Sequence, residues 1–220
     1  MFKRLLTAGA LAGLIAGLVL TCVQYVQVIP LIQEAERFEA AAAAPREHAD
    51  HDEAAWAPEN GIERAAYTAV ANIAMAVGFG LLLSAGMGLW QRVTPGEGAL
   101  WGLAGYGALF LAPSLGLPPE IHGTEAADLV ARQTWWLGTA MASAAGLGLL
   151  VLARGPWARL LGLALLLAHH LIGAPLNGGG YAGVAPEELA RRFIAATALA
   201  NGVFWIVLGV ATAWVSSGRA

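Results

Sequence analysis

Six long apolar runs dominate this chain, at residues 5–29, 65–90, 99–117, 131–153, 158–174 and 193–215. Each is close to or above the roughly 20 residues with which an α-helix crosses the ~30 Å hydrocarbon layer of a bilayer. In that layer backbone N–H and C=O groups have no water to bond, so such runs must be helices or the strands of a closed barrel. Their length and the absence of apolar–polar alternation exclude strands. The expected fold is an all-α, polytopic transmembrane helix bundle of about six spans. The fifth run is the shortest, sits between Pro156 and Pro175, and contains His169 and His170. Five spans with a tilted or re-entrant fifth segment is the alternative.

Composition agrees. Of 220 residues, 58% are hydrophobic and 12% charged, about half the charge of a soluble chain. A single integral membrane domain over 1–220 is expected, with no large soluble domain beside it. Lys3 and Arg4 ahead of the first run would suit a signal peptide, but an apolar signal core spans only about 7–15 residues. A retained span is the better reading.

The charges exclude several functions. Lys3 is the only lysine and precedes every glycine, so no phosphate-binding loop with its terminal lysine is present and this chain has no ATPase site of that kind. A net charge of −3 without a basic patch gives no footprint for nucleic acid. With Cys22 the single cysteine, thiolate metal clusters and intrachain disulfides are ruled out. Basic residues divide evenly between the two sides: Lys3, Arg4, Arg92, Arg154, Arg159 and Arg219 against Arg37, Arg46, Arg64, Arg132, Arg191 and Arg192. The first six lie in short stretches and the second six in long loops, which places both termini in the cytoplasm. Of the 15 acidic residues, only Glu97 then falls inside.

The outer segment 31–64 is the most distinctive. A helical-looking stretch, Gln33-Glu-Ala-Glu-Arg-Phe-Glu39, leads through a run of alanines to His48-Ala-Asp-His-Asp-Glu53. His48 and His51 share a face if that stretch is helical, and with Asp50, Asp52 and Glu53 they supply the imidazole and carboxylate groups that suit late divalent metals. A solvated acidic loop that happens to hold two histidines is the competing reading. His169 and His170 diverge by about 100° on a helix, so sharing one ion would require backbone distortion, and a helix-to-helix hydrogen bond is the alternative role. Gln24, Gln27, Asn72 and Asn201 lie at similar depth near the outer ends of their spans. Polar groups in hydrocarbon tend to face an interior or a wet cavity, so together with the two adjacent histidines they are candidates for a transport path. Simple interhelical hydrogen bonding competes with this. Glu125, Asp128 and Arg132 are expected to cap and brace the fourth span, with Asp128 paired to Arg132. Gly9, Gly13 and Gly17, and likewise Gly80, Ser84 and Gly88, recur every four residues, the pattern of close helix packing in lipid.

Several segments together resemble the CbtA family of proposed cobalt transporter membrane subunits. They are Met1-Phe-Lys-Arg-Leu-Leu6, Ile29-Pro-Leu-Ile-Gln-Glu-Ala-Glu36, Trp56-Ala-Pro-Glu-Asn-Gly61 with Glu63 and Arg64, and Leu117-Pro-Pro-Glu120. Ala126-Ala-Asp-Leu-Val-Ala-Arg-Gln133 with Trp135 and Trp136, and His170-Leu-Ile-Gly-Ala-Pro175, complete the set. The resemblance implies Co2+ uptake across a bacterial inner membrane in association with cobalamin supply. It also implies a small, single-span, histidine-bearing partner of the CbtB type, and usually five spans where six apolar runs are present here. No permanently bound cofactor is expected; Co2+ or a related dication is cargo. A non-transporting adaptor whose acidic loop binds another protein is the alternative, and a haem enzyme would have only His169 and His170 as axial ligands.

Overall fold

The computed structural model describes residues 2–43, 58–89, 93–175 and 181–217. All six apolar runs are helical. The first is α1 (Phe2–Gln27). Pro30, which has no N–H to donate, follows at once, and the chain turns at Val28 into α2 (Ile29–Ala43). Part of the expected outer loop is therefore a helix, whose Leu31 and Ala35 are buried.

Helix α3 (Ile62–Gly88) returns antiparallel to α1. Next comes a rod in three pieces: α4 (Pro95–Tyr106), a π-turn (Gly107–Leu111) and α5 (Ala112–Ser114). Thr94 opens it with a capping box, accepting from the Glu97 N–H while the Glu97 carboxylate accepts from the Thr94 N–H at 2.7 Å. The π-turn has a local cause. Pro113 cannot donate to Leu109 and its ring would crowd that carbonyl, and the widened turn lets the Ala112 N–H reach Gly107, five residues back. Helices α6 (Leu129–Leu152) and α7 (Pro156–Ile172) form an antiparallel hairpin, and α8 (Glu187–Ser217) closes the chain.

Four helices, α1, α3, α6 and α8, are long and apolar enough to cross a membrane. The α7 helix has 17 residues, about 26 Å at 1.5 Å per residue, and falls short of that length. The rod from Pro95 to Ser114 is interrupted by the π-turn. Six helical rods thus correspond to the six apolar runs, while four satisfy the criterion for spanning singly.

Glycine contacts hold the helices together in three pairs. Gly9, Gly13 and Gly17 of α1 lie against the backbones of Leu81, Val77 and Ile73 of α3, leaving no room for a Cβ. Gly98 and Gly102 of α4 meet Gly209 and Trp205 of α8 in the same way, and Gly146 of α6 meets Gly162 of α7. Small residues let helix axes approach where lipid supplies no hydrophobic drive for association. The glycine repeats therefore serve packing within the chain. Helix α8 is the hub, touching α1, α2, α3, α4 and the π-turn, whereas the α6–α7 hairpin joins the rest chiefly through the π-turn and α5. Large apolar side chains such as Leu82, Val151 and Leu171 remain mostly exposed, as expected of surfaces that face lipid.

Candidate functional site

The antiparallel order brings one set of helix ends together: the ends of α1, α5 and α7 and the starts of α3, α6 and α8. Two loops join there, with the Glu125 N–H donating to Ala182 at 3.0 Å and the Val184 N–H to Gly123 at 3.1 Å. Among the described residues this end carries Glu34, Glu36, Glu39, Glu59, Glu63, Glu120, Glu125, Asp128, Glu187 and Glu188. The opposite end carries Glu97 alone among acids, with Lys3, Arg4, Arg154 and Arg159. The bundle is thus electrostatically polarised along its axis.

Ion pairs organise the acidic end. Arg64, at the start of α3, binds Glu36 of α2 at 2.8 Å. Arg132 on α6 reaches Glu120 at 2.6 Å, whereas the sequence spacing had suggested Asp128 as its partner. Asp128 instead caps α6, accepting from the Ala131 N–H at 2.9 Å; Glu120 approaches from the preceding loop, out of sight of any helical spacing rule. His122 lies 3.6 Å from Glu39. A pocket of about 180 Å³ between the α1–α2 elbow and α3 is lined by Tyr25, Gln33 and Arg64 among others, with no carboxylate or imidazole among its described lining residues.

The deeper polar groups behave in two ways. The Asn72 amide of α3 donates to Gln24 and Thr21 of α1 at 2.7 and 3.1 Å, so these groups satisfy one another between helices. Asn201 donates to Thr197 one turn back on its own helix at 3.0 Å. Gln27, the last residue of α1, is exposed. His169 and His170, by contrast, converge. Although α7 runs unbroken through both, their Nε2 atoms are 2.9 Å apart. Helical divergence fixes only where the two Cβ atoms start, and rotation about the side-chain bonds closes the rest, so no backbone distortion is required. His169 is buried, and its Nδ1–H donates to Leu165 at 3.2 Å. The Trp135 ring stands edge-on to it with centroids 6.4 Å apart.

Sequence reasoning missed a row on α6. Trp135 Nε1, Thr139 Oγ1 and Ser143 Oγ are buried and have no hydrogen-bond partner among the described residues. Their spacing of four was the available signal. Among the described residues no group of three or more His, Cys, Asp or Glu side chains is arranged to hold a metal. His48, Asp50, His51, Asp52 and Glu53 lie outside the described residues.

No curated protein and no solved structure matches this chain. One family model does, described as probable cobalt transporter subunit (CbtA), over residues 2–217. With a helical bundle suited to a membrane and a match along nearly its whole length, the chain belongs to the CbtA family of probable cobalt transporter subunits.

Proposed function

We propose that this chain is the membrane subunit of a Co2+ uptake system in a bacterial inner membrane, with its acidic end in the periplasm and both termini in the cytoplasm. The observation that carries the reading is the axial polarity of charge, taken with family membership. Carboxylates gathered at one mouth raise the local concentration of a dication, and the basic residues of the opposite end lie in short stretches, the context in which they tend to remain inside. In this topology all six rods cross the bilayer, the interrupted third and the short α7 with local adjustment of lipid.

The outer segment with His48, Asp50, His51, Asp52 and Glu53 takes the ion first, and the helix ends pass it inward between rods. The membrane potential supplies about 4.6 kcal/mol per 100 mV for a dication moving to a negative interior. No chemical transformation of a substrate is involved. A small, single-span, histidine-bearing subunit is the partner this reading assigns. Radiolabelled Co2+ uptake at limiting metal should collapse in cells lacking the chain, and unchanged accumulation would refute the reading. Purified protein in liposomes that binds Co2+ but never moves it, even with its partner, would identify an adaptor instead.

A further inference from the structure

We propose that His169 and His170 form a two-imidazole site for a late-transition-metal dication at the outer end of the α6–α7 hairpin. The inference deepens the uptake reading and rests on it for the direction of flow, but the site itself stands on geometry. Three observations converge.

The first is separation. Two nitrogens each about 2.1 Å from one metal and at right angles to each other stand about 3.0 Å apart. The two Nε2 atoms here are 2.9 Å apart. The second is the attitude of the rings. A head-on N–H···N pair of imidazoles would hold its ring centres about 5 Å apart, but here they lie 4.0 Å apart, tilted by 49°. The N–H···N hydrogen bond between the two nitrogens is therefore bent, and both nitrogens stay at one edge of the ring pair, where an ion can replace the shared proton. The third is the tautomer. The Leu165 carbonyl can only accept, so His169 Nδ1 carries the proton, and in the neutral ring Nε2 keeps its lone pair, which accepts the Nε2–H of His170. A histidine anchored through one nitrogen to a backbone carbonyl, leaving the other for metal, is the usual arrangement at metal centres. When an ion arrives, the Nε2 proton of His170 moves to its own Nδ1 or to water, and both Nε2 atoms ligate. Water completes the coordination.

Imidazole nitrogen selects Co, Ni, Cu and Zn over Mg and Ca, which prefer oxygen. The pair thus provides a filter that the carboxylates of the acidic end do not. Below it the polar row continues inward. Trp135 abuts His169, Thr139 and Ser143 follow at successive turns of the same stripe, and Gly146 of that stripe meets α7. Serine and threonine in a helix commonly satisfy themselves on a carbonyl four residues back, as Thr21 and Thr212 do here at 2.8 and 2.7 Å. Thr139 and Ser143 are 1% and 0% exposed, and their hydroxyls have no partner among the described residues. Such hydroxyls suit a hydrated ion leaving the imidazole pair.

The test uses the full-length protein in lipid nanodiscs titrated with Co2+, read by visible absorption and calorimetry under excess Mg2+. The His48→Ala/His51→Ala protein, freed of the capture imidazoles, should bind one Co2+ with a nitrogen-ligand band that Mg2+ does not displace. In that background His169→Gln and His170→Gln should each weaken the binding at least tenfold. Because His170 is exposed, its variant should keep the wild-type melting temperature and guards against misfolding at buried His169. Thr139→Val with Ser143→Ala should keep the band and slow uptake several-fold. An unaltered band in the folded variant that also lacks His169 and His170 overturns the site, and normal uptake in the hydroxyl variant removes the row from the route. Loss of the band in the histidine variants, together with cellular uptake that never depended on the chain, would uphold the site and defeat the uptake reading alone.

Discussion

Asn72 on α3 donates its side-chain amide to the Gln24 carbonyl oxygen on α1 across 2.7 Å, and the same nitrogen reaches Thr21 at 3.1 Å. Thr21 in turn donates to Gly17 at 2.8 Å, so this part of the polar belt is closed upon itself. The Asn72 nitrogen, the Gln24 oxygen and the Thr21 hydroxyl are thus committed to holding α1 against α3. Interhelical hydrogen bonds in membranes contribute about 0.6 kcal/mol each. Asn72→Leu should therefore lower stability by about 1 kcal/mol, seen in thermal melts in detergent, with Co2+ uptake per folded molecule nearly unchanged. A large uptake defect at normal stability would return this cluster to the transport path.

The α1–α3 contact tolerates no side chain at its centre. A Cβ on Gly13 would sit 2.8 Å from the Ala76 carbonyl carbon and closer still to the Val77 backbone. Gly13→Ala should force the helices apart and cost about 1–3 kcal/mol, read as lower yield and melting temperature. Gly78 provides the control, having nothing within 4 Å of its Cβ position. Gly78→Ala should be neutral or stabilise by up to about 1 kcal/mol through helix propensity.

The brace on α6 separates into two independent parts. Arg132 pairs with Glu120, while the Asp128 side chain caps the helix. Asp128→Ala should cost about 1 kcal/mol. A double-mutant cycle should give Glu120 and Arg132 a coupling of about 0.5–1 kcal/mol and give Asp128 and Arg132 almost none. Equal coupling in both cycles would contradict this arrangement.

Acid should loosen the start of the α4 rod. The Thr94 N–H, followed by its hydroxyl, donates to the exposed Glu97 carboxylate and holds that carboxyl below the usual range. A folded pKa lower than the unfolded one, about 4.3, stabilises fully at higher pH and ceases to do so as pH falls through the folded value. The gap in Tm between wild type and Glu97→Ala should be constant above about pH 5.5 and narrow in more acidic solution. A gap that widens on acidification would reverse the sign of this linkage.

The rods were legible because hydrocarbon allows few ways to hide a backbone: six apolar runs became six helical rods within a few residues of their expected limits. Helix α2 was legible only in part. Its charged stretch already reads as helical, but the burial of Leu31 and Ala35 becomes visible only once α8 lies against it. The glycine repeats of α1 were plain in the sequence, but their partners on α3 were not, nor was the pairing of Gly98 and Gly102 with Gly209.

What the chain determines alone is its solvent and its polarity: apolar length requires a membrane, and alternating loops send nearly all acidic groups to one side. Tertiary structure decided the pairings across elements, placing Glu120 rather than Asp128 beside Arg132 and leaving Thr139 and Ser143 buried without partners among the described residues. The physical reason is range. Hydrophobic burial and backbone satisfaction act on each segment separately and follow its composition, whereas a hydrogen bond or a metal ligand pair depends on tenths of an ångström. For His169 and His170 that distance arises from side-chain rotation and from the Leu165 carbonyl that anchors one ring, neither of which is encoded in residue spacing.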